Sequence, residues 1–273
     1  MSAAICQRTT NVFDLAQFYK PADTENPAPE LALAPLILQQ VGPSNSLQMP
    51  IPILGRLSIS NAATTLDYQS STVYCDLDTF EINGRPHTRY SYVWFSAAGL
   101  RSVQRPPVAE SGPVLQGVRI TIDSSGLPAI WEVMTDPSAA RILFVSHSLE
   151  AAAAAQYGAA LPGRRYAIES TTRTTPNVVV ARAIEAGAMA MGPIVYLERD
   201  AVTVSTVLCR CMPAQAKGLV STHVYRLLPW RSAGAPLLDL SQAAKLQQRS
   251  AFWPGEPAPS DWIEQCLRLP RSF

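Results

Sequence analysis

Two cysteines stand one residue apart in Cys209-Arg210-Cys211, directly after the apolar run 201–208, which predicts a buried strand. Residues i and i+2 of a strand project from the same face, so both thiols would face one way. Two thiolates so placed can share a zinc ion, with sulfur about 2.3 Å from the metal. A bond between them is the other chemistry. Strand α-carbons two apart lie about 6.6 Å from each other, close to the limit of about 6.8 Å, so such a disulfide would be strained and easily reduced. Zinc needs two more ligands. If 201–209 pairs with 219–228 through the 210–218 loop, His223 falls opposite Ser205, on the order of 13 Å from the pair. Cys75 lies on a core-facing register, Cys266 lies on a packing stripe, and no CxxC…CxxC or HExxH spacing occurs. The plainer account makes Cys209 and Cys211 small, half-buried fillers at a strand end, with Arg210 turned away from both by alternation.

A second candidate is Ser146-His147-Ser148, where the apolar run 141–145 passes into the Ala-rich segment 148–157. Backbone N–H groups at a helix start attract anions, so these residues could cradle a phosphate or carboxylate, with His147 as a candidate catalytic group. Ordinary capping explains the same residues. A third candidate is the polar face Asp76, Asp78, His87 and Arg89. Its paired carboxylates could do acid–base work or bind a divalent cation, and solvated cross-strand ion pairs are the simpler expectation. No G-x-S-x-G elbow, P-loop or dinucleotide glycine fingerprint is present. That disfavours nucleotide-dependent chemistry.

These residues need elements to position them. Asn83-Gly84 between two strand-like runs predicts a two-residue hairpin. Counting outward sets Ile82 opposite Arg85, Phe80 opposite His87, Asp78 opposite Arg89, Cys75 opposite Tyr92 and Val73 opposite Trp94. Val73, Cys75, Leu77, Tyr90, Tyr92 and Trp94 then share a core face, and Asp76, Asp78, His87, Arg89 and Ser91 share the polar one. A second hairpin is expected over 117–134 with its turn at 123–126. The run 141–145 reads as a strand buried on both faces. A helix should follow, with Ser148 at the N-cap, Glu150 in the first turn and Gly158 beyond the end. Residues 193–198, 201–209 and 219–228 read as strands. For 176–187, helix and strand signals conflict.

The expected fold class is α+β: an antiparallel-rich sheet, a few helices and Pro-rich wrapping termini. Three regions follow from the proline distribution: an arm over 1–55 holding at most one short helix, a core domain over 56–228, and a docking tail over 229–273 with short helices at 239–249 and after Ser260.

Charge is scarce, at 16% of residues, and balanced, with 22 Lys plus Arg against 21 Asp plus Glu. Non-specific nucleic-acid binding rests on a strong positive field, so nucleic acid is not an expected partner. No run reaches the roughly 18–20 apolar residues of a membrane span, and the N-terminus lacks a signal-peptide core, so the expected setting is cytoplasmic and no membrane partner is expected. A surface this poor in charge favours partial covering by another subunit, either a homo-oligomer or a protein partner gripped by the apolar, Pro-rich termini. The expected function is a soluble, non-enzymatic binding or assembly protein that needs no cofactor. The competing expectation is a thiol- or zinc-dependent enzyme or metal protein acting through Cys209 and Cys211.

Overall fold

The structure, a computed structural model, describes residues 13–23, 25, 28–41, 54–59, 64–96, 114–134, 141–170, 178–199, 203–211, 216–230 and 262–273. In chain order the first elements are β1 (Phe13–Pro21), helix α1 (Pro29–Ala32), β2 (Leu36–Gln40), β3 (Arg56–Ile59) and β4 (Thr64–Asp67). There follow β5 (Thr72–Ile82), β6 (Arg85–Ser96), β7 (Val114–Ile122), β8 (Pro128–Val133), β9 (Arg141–Ser146) and helix α2 (His147–Tyr157). The chain closes with β10 (Val178–Ile184), β11 (Pro193–Leu197), β12 (Val204–Cys209), β13 (Ala216–Pro229) and helix α3 (Trp262–Cys266).

Eleven strands form one sheet in the order β10-β9-β8-β7-β6-β5-β13-β1-β2-β11-β12, while β3 and β4 pair separately. This corrects the α+β expectation. Among the described residues the chain is mostly β, 57% strand against 11% helix, and its mixed sheet curls into a nearly closed barrel. Four pairings are parallel: β1 with β13, β2 with β11, β5 with β13, and β9 with β10. Parallel neighbours need long crossovers and leave no turn signature in the sequence, which is why antiparallel hairpins alone were foreseen. The hairpin expected between 201–209 and 219–228 does not form. β12 pairs with β11 and β13 with β1, so three strands separate them. The disputed segment 176–187 contributes β10, joined to β9 through α2 as a strand–helix–strand crossover.

Closure follows from the core. Every strand of the sheet places a residue in one apolar cluster, including Val179 and Ala181 at one end and Val204 and Val207 at the other. Behind β10, Gly187 lies against β12: a Cβ added there would sit 3.3 Å from the Cys209 Sγ. The outer face of β8–β10 is covered by Leu149 and Ala153 of α2 and by Ile263, Cys266, Leu267 and Phe273 of the C-terminal segment.

The register expected of the Asn83-Gly84 hairpin holds, although Leu77, expected on the core face, is 50% exposed. The β5–β6 register pairs Ile82 with Arg85, Phe80 with His87, Asp78 with Arg89 and Cys75 with Tyr92. Asn83 and Gly84 take φ of 51° and 70°, the left-handed pair that a type I′ turn requires. β7 and β8 form the second hairpin, whose turn is tied by Asp123 Oδ1 accepting from the Ser125 and Leu127 N–H groups. The N-terminal segment supplies two strands, β1 and β2, to the sheet. A short helix between Glu30 and Gln40, with Pro35 in its first turn, is not what forms: α1 covers only Pro29–Ala32, before Pro35, and Leu36–Gln40 is strand β2. Ile263 and Cys266 of α3 dock as a stripe, whereas 239–249 lies outside the described residues.

Candidate functional site

β12 ends at Cys209, which is buried, and the chain turns through Arg210 to Cys211, which is exposed. That turn draws the Cys209 and Cys211 α-carbons to 5.2 Å, inside the range of ordinary disulfides, and the two sulfurs are bonded. The strand spacing used in the sequence reading does not apply once the chain leaves the sheet. The Cys211 N–H donates to the Cys209 Sγ at 3.1 Å. Gly187 lines this sulfur, so the pair has backbone and no side chain on that flank.

Arg210, between the cysteines, sends its guanidinium to the backbone O of Ala34. Burial lowers its pKa, opposed by the phenols of Tyr225 and Tyr92. Those two phenols donate to the same segment: Tyr92 Oη to Glu30 O at 2.7 Å and Tyr225 Oη to Pro35 O at 2.6 Å. The Gly192 N–H adds a bond to Ala32 O at 2.9 Å. Residues 30–35 therefore close this part of the barrel wall, pinned through four backbone carbonyls, and the cysteine pair sits beside the clasp. None of these tyrosines was singled out from sequence. The signal lay in Tyr92 on the core face, which had to find an acceptor once buried.

His223 is remote from the cysteines. It stacks on Tyr19, with ring centroids 4.9 Å apart, and meets Ser221 Oγ at 2.9 Å through Nε2. Burial lowers its pKa. Among the described residues, no group of three or more His, Cys, Asp or Glu side chains is placed to hold a metal ion.

At the second candidate, the cap lies two residues earlier than expected: Ser146 Oγ, not Ser148, accepts from the Leu149 N–H at 3.1 Å. Ser148 Oγ bonds Ser146 Oγ at 3.0 Å. His147 is exposed, with Nε2 3.9 Å from a Glu185 carboxylate oxygen. Glu150 accepts from the Ala167 and Ile168 N–H groups at 2.7 and 3.1 Å, tying the helix start to the following loop. These contacts spend the cap hydroxyl on the helix itself and set a carboxylate beside the imidazole.

The third candidate is brought together but not solvated. His87, Arg89 and Ser91 are all buried on the outer face of the sheet. Arg89 grips Asp78 through two nitrogens, Nε at 2.9 Å and Nη2 at 2.7 Å, and lies over the Phe80 ring. His87 stacks on Phe273, with centroids 4.6 Å apart, and its Nδ1 meets Ile122 O at 3.1 Å. The ladder continues sideways into residues not selected from sequence. Arg119, 1% exposed, reaches Ser91 Oγ at 3.1 Å and Glu132, 3% exposed, at 3.5 Å. Burial lowers the pKa of Arg119 and pushes that of Arg141 down to about 10, with Glu132 opposing both. Counting outward from the 123–126 turn would set Arg119 opposite Ile130; a register shift between Thr121 and Ile122 brings it across from Glu132, so this pairing was not within reach of the sequence. The geometry is a chain of paired opposite charges, and Asp78 is committed to Arg89.

A different surface stands out along β13. Over Ala216–Tyr225 the strand pairs with β1 on one side; its other neighbour, β5, joins only from Arg226 onward. Among the described residues nothing pairs with that second edge over Ala216–Tyr225. Leu219 and Val224 are each 55% exposed there, and Val220 is also exposed.

No protein-family model matches the chain, and neither a curated protein nor a solved structure matches it significantly. Among the described residues, no helix is long and apolar enough to cross a membrane.

Proposed function

We propose that this chain is a non-enzymatic assembly protein that joins a second copy of itself by strand addition along β13. The observation that carries the reading is the open edge beside Ala216–Tyr225. An edge strand offers unpaired backbone N–H and C=O groups, and proteins normally blunt it with charges, prolines or bulges. From Gly218 to Tyr225 the sequence has no Lys, Arg, Asp, Glu or Pro, and one register shift, at Val220 against β1, interrupts the stretch. Lys217, just before, is held by Asp14 at 2.5 Å.

A second copy fits this edge on symmetry grounds. Two identical edges meeting across a two-fold axis run antiparallel, each residue finding its mirror about one centre. Centring on Thr222 sets Val220 opposite Val224 in both halves and brings no like charges together. A hidden β13 also accounts for a surface with so little charge to cover it.

Sedimentation velocity on the full chain, from low to high micromolar concentration, tests this. The expected species is a dimer. Val220→Lys with Val224→Lys opposes four like charges, so the dissociation constant should rise by roughly 100-fold or more, about 2.8 kcal/mol, with the circular dichroism of the monomer unchanged. A monomer at every concentration, or a dimer indifferent to the two lysines, would overturn the reading.

A further inference from the structure

We propose that Cys209 and Cys211 form a reversible thiol–disulfide exchange site, in which Cys211 is the sulfur attacked by an incoming dithiol and Cys209 is the sulfur that leaves. The pair lies at the end of β12, the edge of the sheet and separated from β13 by three strands, so the inference is independent of assembly.

Three observations point to exchange over a purely structural bond. First, the two residues are only two apart. A cross-link stabilises a fold mainly by removing freedom from the unfolded chain, and a loop this short has little to remove. Second, the sulfurs differ in access. Cys209 is 6% exposed and Cys211 is exposed, so a dissolved thiolate reaches one and not the other. Third, the buried sulfur has a place to hold charge. The Cys211 N–H at 3.1 Å already points at the Cys209 Sγ, and a donated hydrogen bond favours a thiolate as leaving group. Among the described residues the other two cysteines differ on these points: Cys266 is buried, and burial pushes the thiol of Cys75 up to about 12.

The step balances with a dithiol as reductant. One thiolate of the dithiol attacks the Cys211 Sγ, the Cys209–Cys211 bond breaks, and Cys209 departs with the electron pair. The second thiolate then attacks its own partner sulfur in the mixed disulfide and releases Cys211. The dithiol ends as a disulfide, having lost two protons. Cys209 and Cys211 end as two thiols, having gained two.

The test uses the folded full chain equilibrated in mixtures of reduced and oxidised dithiothreitol, quenched by alkylation and read by peptide mass. The 209–211 peptide should pass reversibly between a bonded and a doubly alkylated form, without denaturant. Two single variants then separate the roles. Cys209→Ser, which leaves Cys211 free, should react with an aromatic disulfide probe at least ~10-fold faster than Cys211→Ser, which leaves only the buried thiol. The proposal fails if the pair stays as two thiols in the most oxidising mixture or stays bonded in full reductant. Equal or inverted reactivity of the two variants would equally sink the assignment of Cys211 as the attacked sulfur.

Discussion

Burial raises the thiol of Cys75 from 9.0 to about 12, an effect larger than the opposing hydrogen bond from Tyr92. Between those values the native state holds a proton that the unfolded chain releases. Stability linked to this group is therefore whole below pH 9 and declines as pH climbs toward 12. The phenols of Tyr92 and Tyr225, also pushed up by burial, act in the same sense above their ordinary range. Urea midpoints should fall between about pH 8 and about pH 10.5, and Cys75→Ala should flatten that fall. A second residue-scale outcome concerns Arg119 and Glu132. Glu132→Leu removes the carboxylate that faces the buried Arg119 guanidinium and should cost about 3 kcal/mol in urea denaturation, whereas adding Arg119→Met should recover much of the loss. The positions of Asp78, His87 and Arg89 on the ladder were legible in the sequence; the Arg119–Glu132 pairing and the burial were not. The groups that cover it, Phe273 over His87 among them, come from the far end of the chain, and no local pattern announces them.

At the scale of elements, the hairpins were readable because their determinants are local: a left-handed turn pair at Asn83-Gly84 and an aspartate-tied turn at Asp123. Helix α2 was readable for the same reason, although two serines could cap it and only geometry chooses Ser146. Strand partnership across long separations was not readable, which is how β13 came to be assigned a hairpin partner in place of β1. The clasp of residues 30–35 gives an element-scale prediction. Gly192 packs against the carbonyls of Leu33 and Ala34, and an added Cβ would overlap backbone, which cannot rotate away. Gly192→Ala should cost on the order of 1–3 kcal/mol by urea denaturation. In that variant limited proteolysis should gain a cut near residues 30–35 that the parent chain resists.

For the whole molecule, low charge density and the absence of catalytic motifs suggested a covered surface without saying where. Curling the sheet brings its two ends into one core and covers outer faces with α2, α3 and the C-terminal residues; among the described residues β13 keeps an unpaired flank over Ala216–Tyr225 with exposed Leu219, Val220 and Val224. The cysteine pair was the most conspicuous chemical feature of the sequence. The turn after β12, invisible in a strand pattern, converts it from a two-thiol metal grip into a bonded pair with one accessible sulfur.

Hydrogen exchange of the β13 backbone, measured at two protein concentrations, probes assembly most directly. Amides within Leu219–Tyr225 that point away from β1 should exchange freely in dilute solution and become protected as concentration rises. Those bonded to β1 should stay slow throughout. Exchange at the outward amides that is indifferent to concentration would contradict assembly through this edge.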